Sequence, residues 1–162
     1  MSSAKTETYR SSSSDETKKL GHDFASSLLA ATGENAKNTA AIILALQGDL
    51  GAGKTTFTQG FMKGLGFKKR VASPTFILMR RHKIVGNFSN VFHIDAYRLK
   101  KPEQFGVLGL DEILKDPRNI VLIEWPEQAG KLIPKNATWI TFNYGKKEHE
   151  RTIAIKRPAS SK

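Results

Sequence analysis

The densest chemistry in the sequence lies in Gly48-Asp49-Leu50-Gly51-Ala52-Gly53-Lys54-Thr55. This segment matches the phosphate-loop pattern G-x-x-x-x-G-K-[ST] at every defined position. Each residue type in it has its own physical reason. Glycines let the backbone wrap closely and adopt conformations that a side chain forbids. Successive backbone N–H groups then converge on an anion, which also meets the positive end of the following helix. Lys54 adds a full charge towards the β- and γ-phosphates, and the Thr55 hydroxyl suits Mg²⁺. The ligand to expect is a nucleoside triphosphate. The N-K-x-D sequence that reads guanine is absent, so ATP is expected rather than GTP.

Phosphoryl chemistry on such a loop also needs a carboxylate that reaches the metal from the end of a neighbouring strand. Glu124 fits, closing the apolar run Val121-Leu122-Ile123 just before Trp125-Pro126. Asp95 is the second candidate, at the end of Val91-Phe92-His93-Ile94. Each acid has a plainer reading as a surface residue at a strand end, and the nearby phosphate loop outweighs it. His93 reads more simply as a core or edge histidine than as a base. Ser73-Pro74-Thr75 reads as a turn before a strand. Its functional reading makes Thr75 a switch residue sensing the γ-phosphate and Mg²⁺.

These residues need elements to hold them. The continuous apolar run Ala40–Leu46 suits a strand buried on both faces. Thr55–Leu65, with Phe57, Phe61 and Leu65 four residues apart, predicts the helix after the loop. Strand, glycine-rich turn and helix open an α/β nucleotide-binding fold. An earlier helix is expected from a capping box at Ser13 and Glu16, through Leu20, Phe24 and Leu28, to a stop at Gly33. Further strands are expected at Thr75–Arg80, Val91–Ile94 and Asn119–Glu124, with a helical region over Pro102–Leu114. Thr138–Asn143 and Arg151–Ile155 lie close enough in sequence to pair antiparallel, so the sheet should be mixed. The expected architecture is a three-layer, P-loop NTPase-like α/β fold. One domain over residues 13–157 is expected between disordered tails at 1–12, rich in Ser and Thr, and 158–162.

Composition narrows the setting. The 162 residues include no cysteine, which excludes disulfides and thiolate metal sites and fits a reducing cytosol. The first fourteen residues lack the apolar stretch of a signal peptide, and no window suits a membrane span. A cytoplasmic protein is expected. The 26 basic and 15 acidic residues leave a formal charge of +11, which favours anionic partners without choosing among them. Small clusters at Lys68-Lys69-Arg70, Arg80-Arg81-His82-Lys83 and Lys146-Lys147 read equally well as solvated surface.

Four segments taken together resemble the bacterial TsaE family, the ATPase of tRNA threonylcarbamoyladenosine biosynthesis. They are GDLGAGKTTF at 48–57, SPTF at 73–76, HIDAYR at 93–98 and LIEWPE at 122–127, with DETKKLG at 15–21 resembling the family's opening. The resemblance spans residues 14 to 155. It implies an ATP- and Mg²⁺-binding protein that works with TsaD and TsaB and supports their repeated turnover on tRNA. The ATPase itself does not make the threonylcarbamoyl group. Carried over to this chain, the resemblance gives the phosphates to Asp49, Gly51, Ala52, Gly53, Lys54, Thr55 and Thr56. It puts Thr55 and Glu124 on the metal and makes Asp95 the second essential acid, beside Lys54 and Glu124. Thr75 then belongs to a switch loop, Trp125 orders the site, and Ser14 or Thr17 approaches the base. A small-molecule kinase is the competing reading, although no lid bearing arginines is evident beyond Arg80-Arg81. Arg98 is the candidate arginine finger, and contact with tRNA is expected to be indirect or through a basic surface.

Overall fold

The computed structural model describes residues 3–33, 37–72 and 77–159. Among the described residues, seven strands and four α-helices follow one another. They are β1 (Thr6–Ser11), α1 (Ser14–Ala31), β2 (Ile42–Gly48), α2 (Lys54–Gly64), β3 (Met79–Lys83), β4 (Asn90–Asp95), α3 (Glu103–Val107), α4 (Leu110–Lys115), β5 (Asn119–Glu124), β6 (Thr138–Tyr144) and β7 (Arg151–Lys156). Two short 3-10 turns, Pro126–Gln128 and Gly130–Leu132, link β5 to β6.

The strands form one sheet in the order β1-β7-β6-β2-β5-β4-β3. Its centre is parallel, with β2 between β5 and β6 and β4 beside β5. Its flanks are antiparallel, through β6–β7–β1 on one side and β4–β3 on the other. The mixed sheet expected from the sequence is therefore present.

Strand periodicity divides the central residues between two cores. Leu44, Leu46, Ile120 and Leu122 face α1 and α2, where they meet Phe24, Phe57, Phe61 and Met62. Ile43, Ala45, Val121 and Ile123 face the opposite layer, under Phe105, Leu110 and Leu114 of α3 and α4. This accounts for the unbroken apolar runs of β2 and β5: both faces are covered. Phe57 and Phe61 are fully buried, and each stabilises by about 1.5–3 kcal/mol relative to an exposed side chain. Phe57 also meets Phe142 edge-on at 5.6 Å, which fixes α2 against β6.

α1 begins as its capping pattern predicts, with the Ser13 hydroxyl accepting from the Glu16 amide at 3.2 Å. The Glu16 carboxylate reaches one residue further back than a standard capping box, accepting from the Ser12 amide at 2.6 Å. α1 and α2 touch backbone to backbone. A Cβ placed on Gly60 would lie 1.9 Å from the Lys18 carbonyl oxygen, so only glycine permits the approach.

Three expectations need correction. The segment 1–12 is not a disordered tail over its described part, because residues 6–11 form the edge strand β1. That strand buries little apolar surface, so composition hides it. It is held by its ladder to β7, by Glu7 pairing with Arg157 at 2.9 Å, and by Ser11 Oγ against Thr17 Oγ1 at 2.7 Å. The helical region 102–114 is two helices, broken where Gly109 takes a left-handed φ of 68°. The strand expected at 75–80 is displaced to Met79–Lys83, and Thr75 itself lies outside the described residues, as do residues 160–162 of the expected C-terminal tail. No helix among the described residues is long and apolar enough to cross a membrane.

Candidate functional site

The phosphate loop runs from the C-terminal end of β2 to the first turn of α2. Its placement follows from the sheet: in open α/β sheets, ligands bind beyond the carboxyl ends of the parallel strands. Gly53, with φ of 113°, caps α2 without a side chain, and no side-chain hydrogen bond caps the helix. The first-turn N–H groups of α2 therefore face the loop's concavity as anion donors. A Cβ at Gly53 would find only ordinary contacts, with Thr17 and Phe142 at 3.6 and 3.7 Å, so it is the left-handed φ that calls for glycine here.

Lys54 is the first residue of α2 and is buried. Its ammonium donates to the carbonyls of Gly48 and Asp49, the latter at 3.0 Å, and sits 4.1 Å from the centre of the Trp125 ring. Burial holds its pKa below the usual lysine value, while Glu124, Glu127, Asp49 and Asp95 pull it back up. Lys54 is thus a desolvated cation ringed by acids. A polyphosphate is the kind of ligand that would satisfy it.

Glu124 and Asp95 end the parallel strands β5 and β4 and are direct partners in the ladder. Glu124 also pairs with Leu46 of β2, two residues before the loop begins. Both acids are buried, and Asp95 accepts from the Tyr97 amide at 3.0 Å. The sheet thus brings Lys54, Glu124 and Asp95 together from three elements. Trp125 follows at a left-handed φ of 56°, an uncommon conformation for a bulky residue. That turn lays its ring beneath Lys54 and 5.0 Å from the ring of Tyr97.

Three contributors were missed or set aside in the sequence reading: His93, Tyr144 and Arg151. His93 is buried and its Nε2 contacts Glu124 Oε1 at 2.9 Å, while Nδ1 has no partner among the described residues. An i, i+2 relation to Asp95 on one strand was the available signal, since it puts both on one face. Tyr144 donates its hydroxyl to the Leu50 carbonyl, and Arg151 donates to the Gly51 carbonyl at 3.2 Å while stacking 4.5 Å over the Tyr144 ring. The β6–β7 hairpin therefore clasps the loop from outside. A pocket of about 100 Å³ adjoins it, lined by Ser13, Ser14, Thr17, Thr56, His149 and Arg151 with Gly51 and Gly53. Ser14 and Thr17 thus stand at the loop's mouth. Arg98, the arginine singled out from the sequence, is exposed on the segment after β4. Arg151 reaches the loop from the β6–β7 hairpin.

The cradle, the desolvated lysine and the paired strand-end acids have the chemistry that a triphosphate with a divalent cation would need. Among the described residues no three of His, Asp and Glu gather as a metal cage. Mg²⁺ arriving with a triphosphate would need only one or two protein ligands, and Thr55 in the first turn of α2 and Glu124 at the end of β5 are the residues that would hold it.

Residues 11–153 match the family model described as threonylcarbamoyl adenosine biosynthesis protein TsaE. A Haemophilus influenzae protein named tRNA threonylcarbamoyladenosine biosynthesis protein TsaE is 36% identical over 126 residues, covering 78% of this chain and 75% of that protein. A Bacillus subtilis protein of the same name is 37% identical over 112 residues, 68% of each chain. The crystal structure of Bacillus subtilis YdiB superposes with a TM-score of 0.73 at 29% identity, covering 97% of this chain and 88% of that one.

Proposed function

Because the chain belongs to the TsaE family of tRNA threonylcarbamoyladenosine biosynthesis, we propose that it is a cytoplasmic, Mg²⁺-dependent ATPase that supports turnover of a TsaD–TsaB assembly. The observation that carries this reading is the meeting of Lys54 with Glu124 and Asp95 at the carboxyl ends of β2, β5 and β4.

Each residue has a task that its position supports. The amides of residues 51–56 and the Lys54 ammonium bind the phosphates, with Asp49 shaping the loop. Thr55 and Glu124 hold Mg²⁺, which when bound supplies charge neutralisation to the phosphate oxygens. Asp95 orients the attacking water or the metal from the neighbouring strand. Trp125 screens Lys54 from solvent on one side. Such chemistry is mainly positioning and charge stabilisation, which a preorganised loop provides without reorganising during the reaction. Slow hydrolysis by the isolated chain is expected, because its own arginine at the loop, Arg151, is engaged with carbonyls of Gly51, Glu148 and Glu150.

Phosphate release from MgATP, measured with and without purified TsaD–TsaB, tests this reading. Stimulation by the partners, lost in Glu124→Ala, is the expected result. Lys54→Ala should weaken MgATP binding by about 10- to 100-fold, as for loss of a charge-assisted hydrogen bond worth roughly 1.5–3 kcal/mol. No stimulation, with phosphate transfer to a metabolite, would replace the ATPase by a kinase.

A further inference from the structure

Cations that are far apart in the sequence share one trough on the surface of the helical layer. Lys18 and Lys19 come from α1, Lys63 from the last turn of α2, and Lys68, Lys69 and Arg70 from the segment after it. The trough encloses about 660 Å³, and among the described residues Asp15 is the one carboxylate in its lining. The backbone contact of α1 with α2 at Gly60 sets the two helical lysine groups side by side. Lys18 lies 3.9 Å from exposed Asp15, and Lys19 pairs with Asp23 at 2.5 Å. Lys63, Lys68, Lys69 and Arg70 make no ion pair among the described residues.

This trough is separate from the phosphate loop. Lys54 opens α2 and Lys63 nearly closes it, a rise of about 14 Å along the axis at ~1.5 Å per residue. Its lining is also unlike that of a protein interface, which needs an apolar centre. Only Phe67 and Val71 are large and apolar here, and Val71 is buried. Long cationic side chains around an open channel suit a linear polyanion. Half-buried Phe67, its ring 5.6 Å from that of His82, gives the trough a single partly exposed aromatic wall.

We propose that the trough between α1, α2 and residues 67–71 binds the phosphodiester backbone of RNA, so that this chain touches tRNA directly, at a site distinct from its nucleotide. The choice of tRNA rests on the function proposed above; the trough's chemistry does not. Lys68, Lys69 and Arg70 each take one phosphate, and Lys18 and Lys63 extend the track along the helices.

The test is fluorescence anisotropy of an end-labelled, unmodified tRNA transcript titrated with the full chain between 50 and 200 mM KCl. The variant Lys68→Ala/Lys69→Ala/Arg70→Ala alters exposed residues and should keep its fold, checked by circular dichroism and by MgATP binding. Its tRNA affinity should fall at least tenfold. The slope of log affinity against log salt should flatten by about 2–3, since each lost phosphate contact removes roughly 0.7–0.9. A control with equal charge loss elsewhere, Lys115→Ala/Lys131→Ala/Lys135→Ala, should change affinity less than about threefold, as expected of surface charges away from the contact. Equal losses in the two variants, or no binding by the unaltered chain at 50 mM KCl, would overturn the proposal. So would displacement of the tRNA by polyglutamate at equal charge concentration, or a trough variant that keeps tRNA but loses stimulation by TsaD–TsaB. Either result would make the trough a site for an acidic protein. Loss of tRNA binding with partner-stimulated hydrolysis intact would support the trough without touching the ATPase reading. Absence of hydrolysis in the unaltered chain would instead count against that reading alone.

Discussion

A buried carboxylate that must ligate a metal needs one oxygen fixed so that the other can be presented. On the proposed reading Glu124 would obtain this from His93, whose Nε2 meets Oε1 at 2.9 Å in a setting where both side chains are almost wholly excluded from water. His93 is thus a positioning residue. His93→Leu should weaken MgATP binding about tenfold or more, within the range typical of groups that orient metal ligands. Its effect on ATP binding without Mg²⁺ should be much smaller. Isothermal titration with and without the metal checks this, and His93→Gln, which restores a donor, should recover part of the loss. Equal losses with and without Mg²⁺ would assign His93 to general packing. At this scale the sequence was informative wherever residue type alone defines a job. Lys54, Glu124, Asp95 and Trp125 meet as their motifs suggested. His93 and Arg151 stayed hidden because their roles depend on cross-strand contacts and on a hairpin returning about 100 residues later, which no local pattern encodes. Thr75, the expected switch residue, lies outside the described residues.

At the scale of elements, two contacts decide how the site is carried. The first is the α1–α2 crossing. Gly60→Ala would drive a methyl group into the Lys18 carbonyl and force the helices apart. A loss of about 1–3 kcal/mol is expected, as for other overpacked interiors, and denaturant unfolding would measure it. The second is the docking of β1. Hydrogen bonds from Lys5 and Arg157 hold the Glu7 carboxyl down from an ordinary 4.5 to about 2. A carboxyl whose folded pKa is lowered contributes stability above its unfolded pKa and loses that contribution as pH falls through the folded one. The melting temperature of wild type should therefore exceed that of Glu7→Gln at pH 6, by a small margin because the half-buried carboxyl is still screened by water. The gap should shrink between pH 4.5 and about 2. A gap that persists at pH 2 would mean the contact acts through shape rather than charge. Central strands were legible in the sequence because burial on both faces leaves an unbroken apolar run. β1 was not, because an edge strand held by backbone pairing and ion pairs carries no such run.

For the molecule as a whole, the basic surplus acquires a location. Lys68-Lys69-Arg70 is unremarkable as a tripeptide. Only when the helical layer folds do Lys18, Lys19 and Lys63 join it in one trough. Two anion-binding regions then sit towards opposite ends of α2, the phosphate loop at its head and the trough near its tail. The chain's charge is thereby divided between a small ligand held by preorganised amides and a large one held by flexible lysines. The second should be far more sensitive to salt than the first. MgATP affinity should change little across the KCl range in which tRNA affinity falls steeply, and titrating both over 50–200 mM KCl checks it.

The pairing of β1 with β7 also constrains the order of assembly. Glu7 and Arg157 are 150 residues apart, and β2 at the centre finds its neighbours only in β5 and β6. On a ribosome adding roughly 5–20 residues per second, the first strand therefore waits about 8–30 s for its partner. In that interval α1, β2 and α2 are already synthesised, with their apolar faces uncovered. A nascent chain halted before β6 should be sensitive to protease and retained by chaperones. The phosphate loop, the first functional motif to be made, is among the last to become rigid.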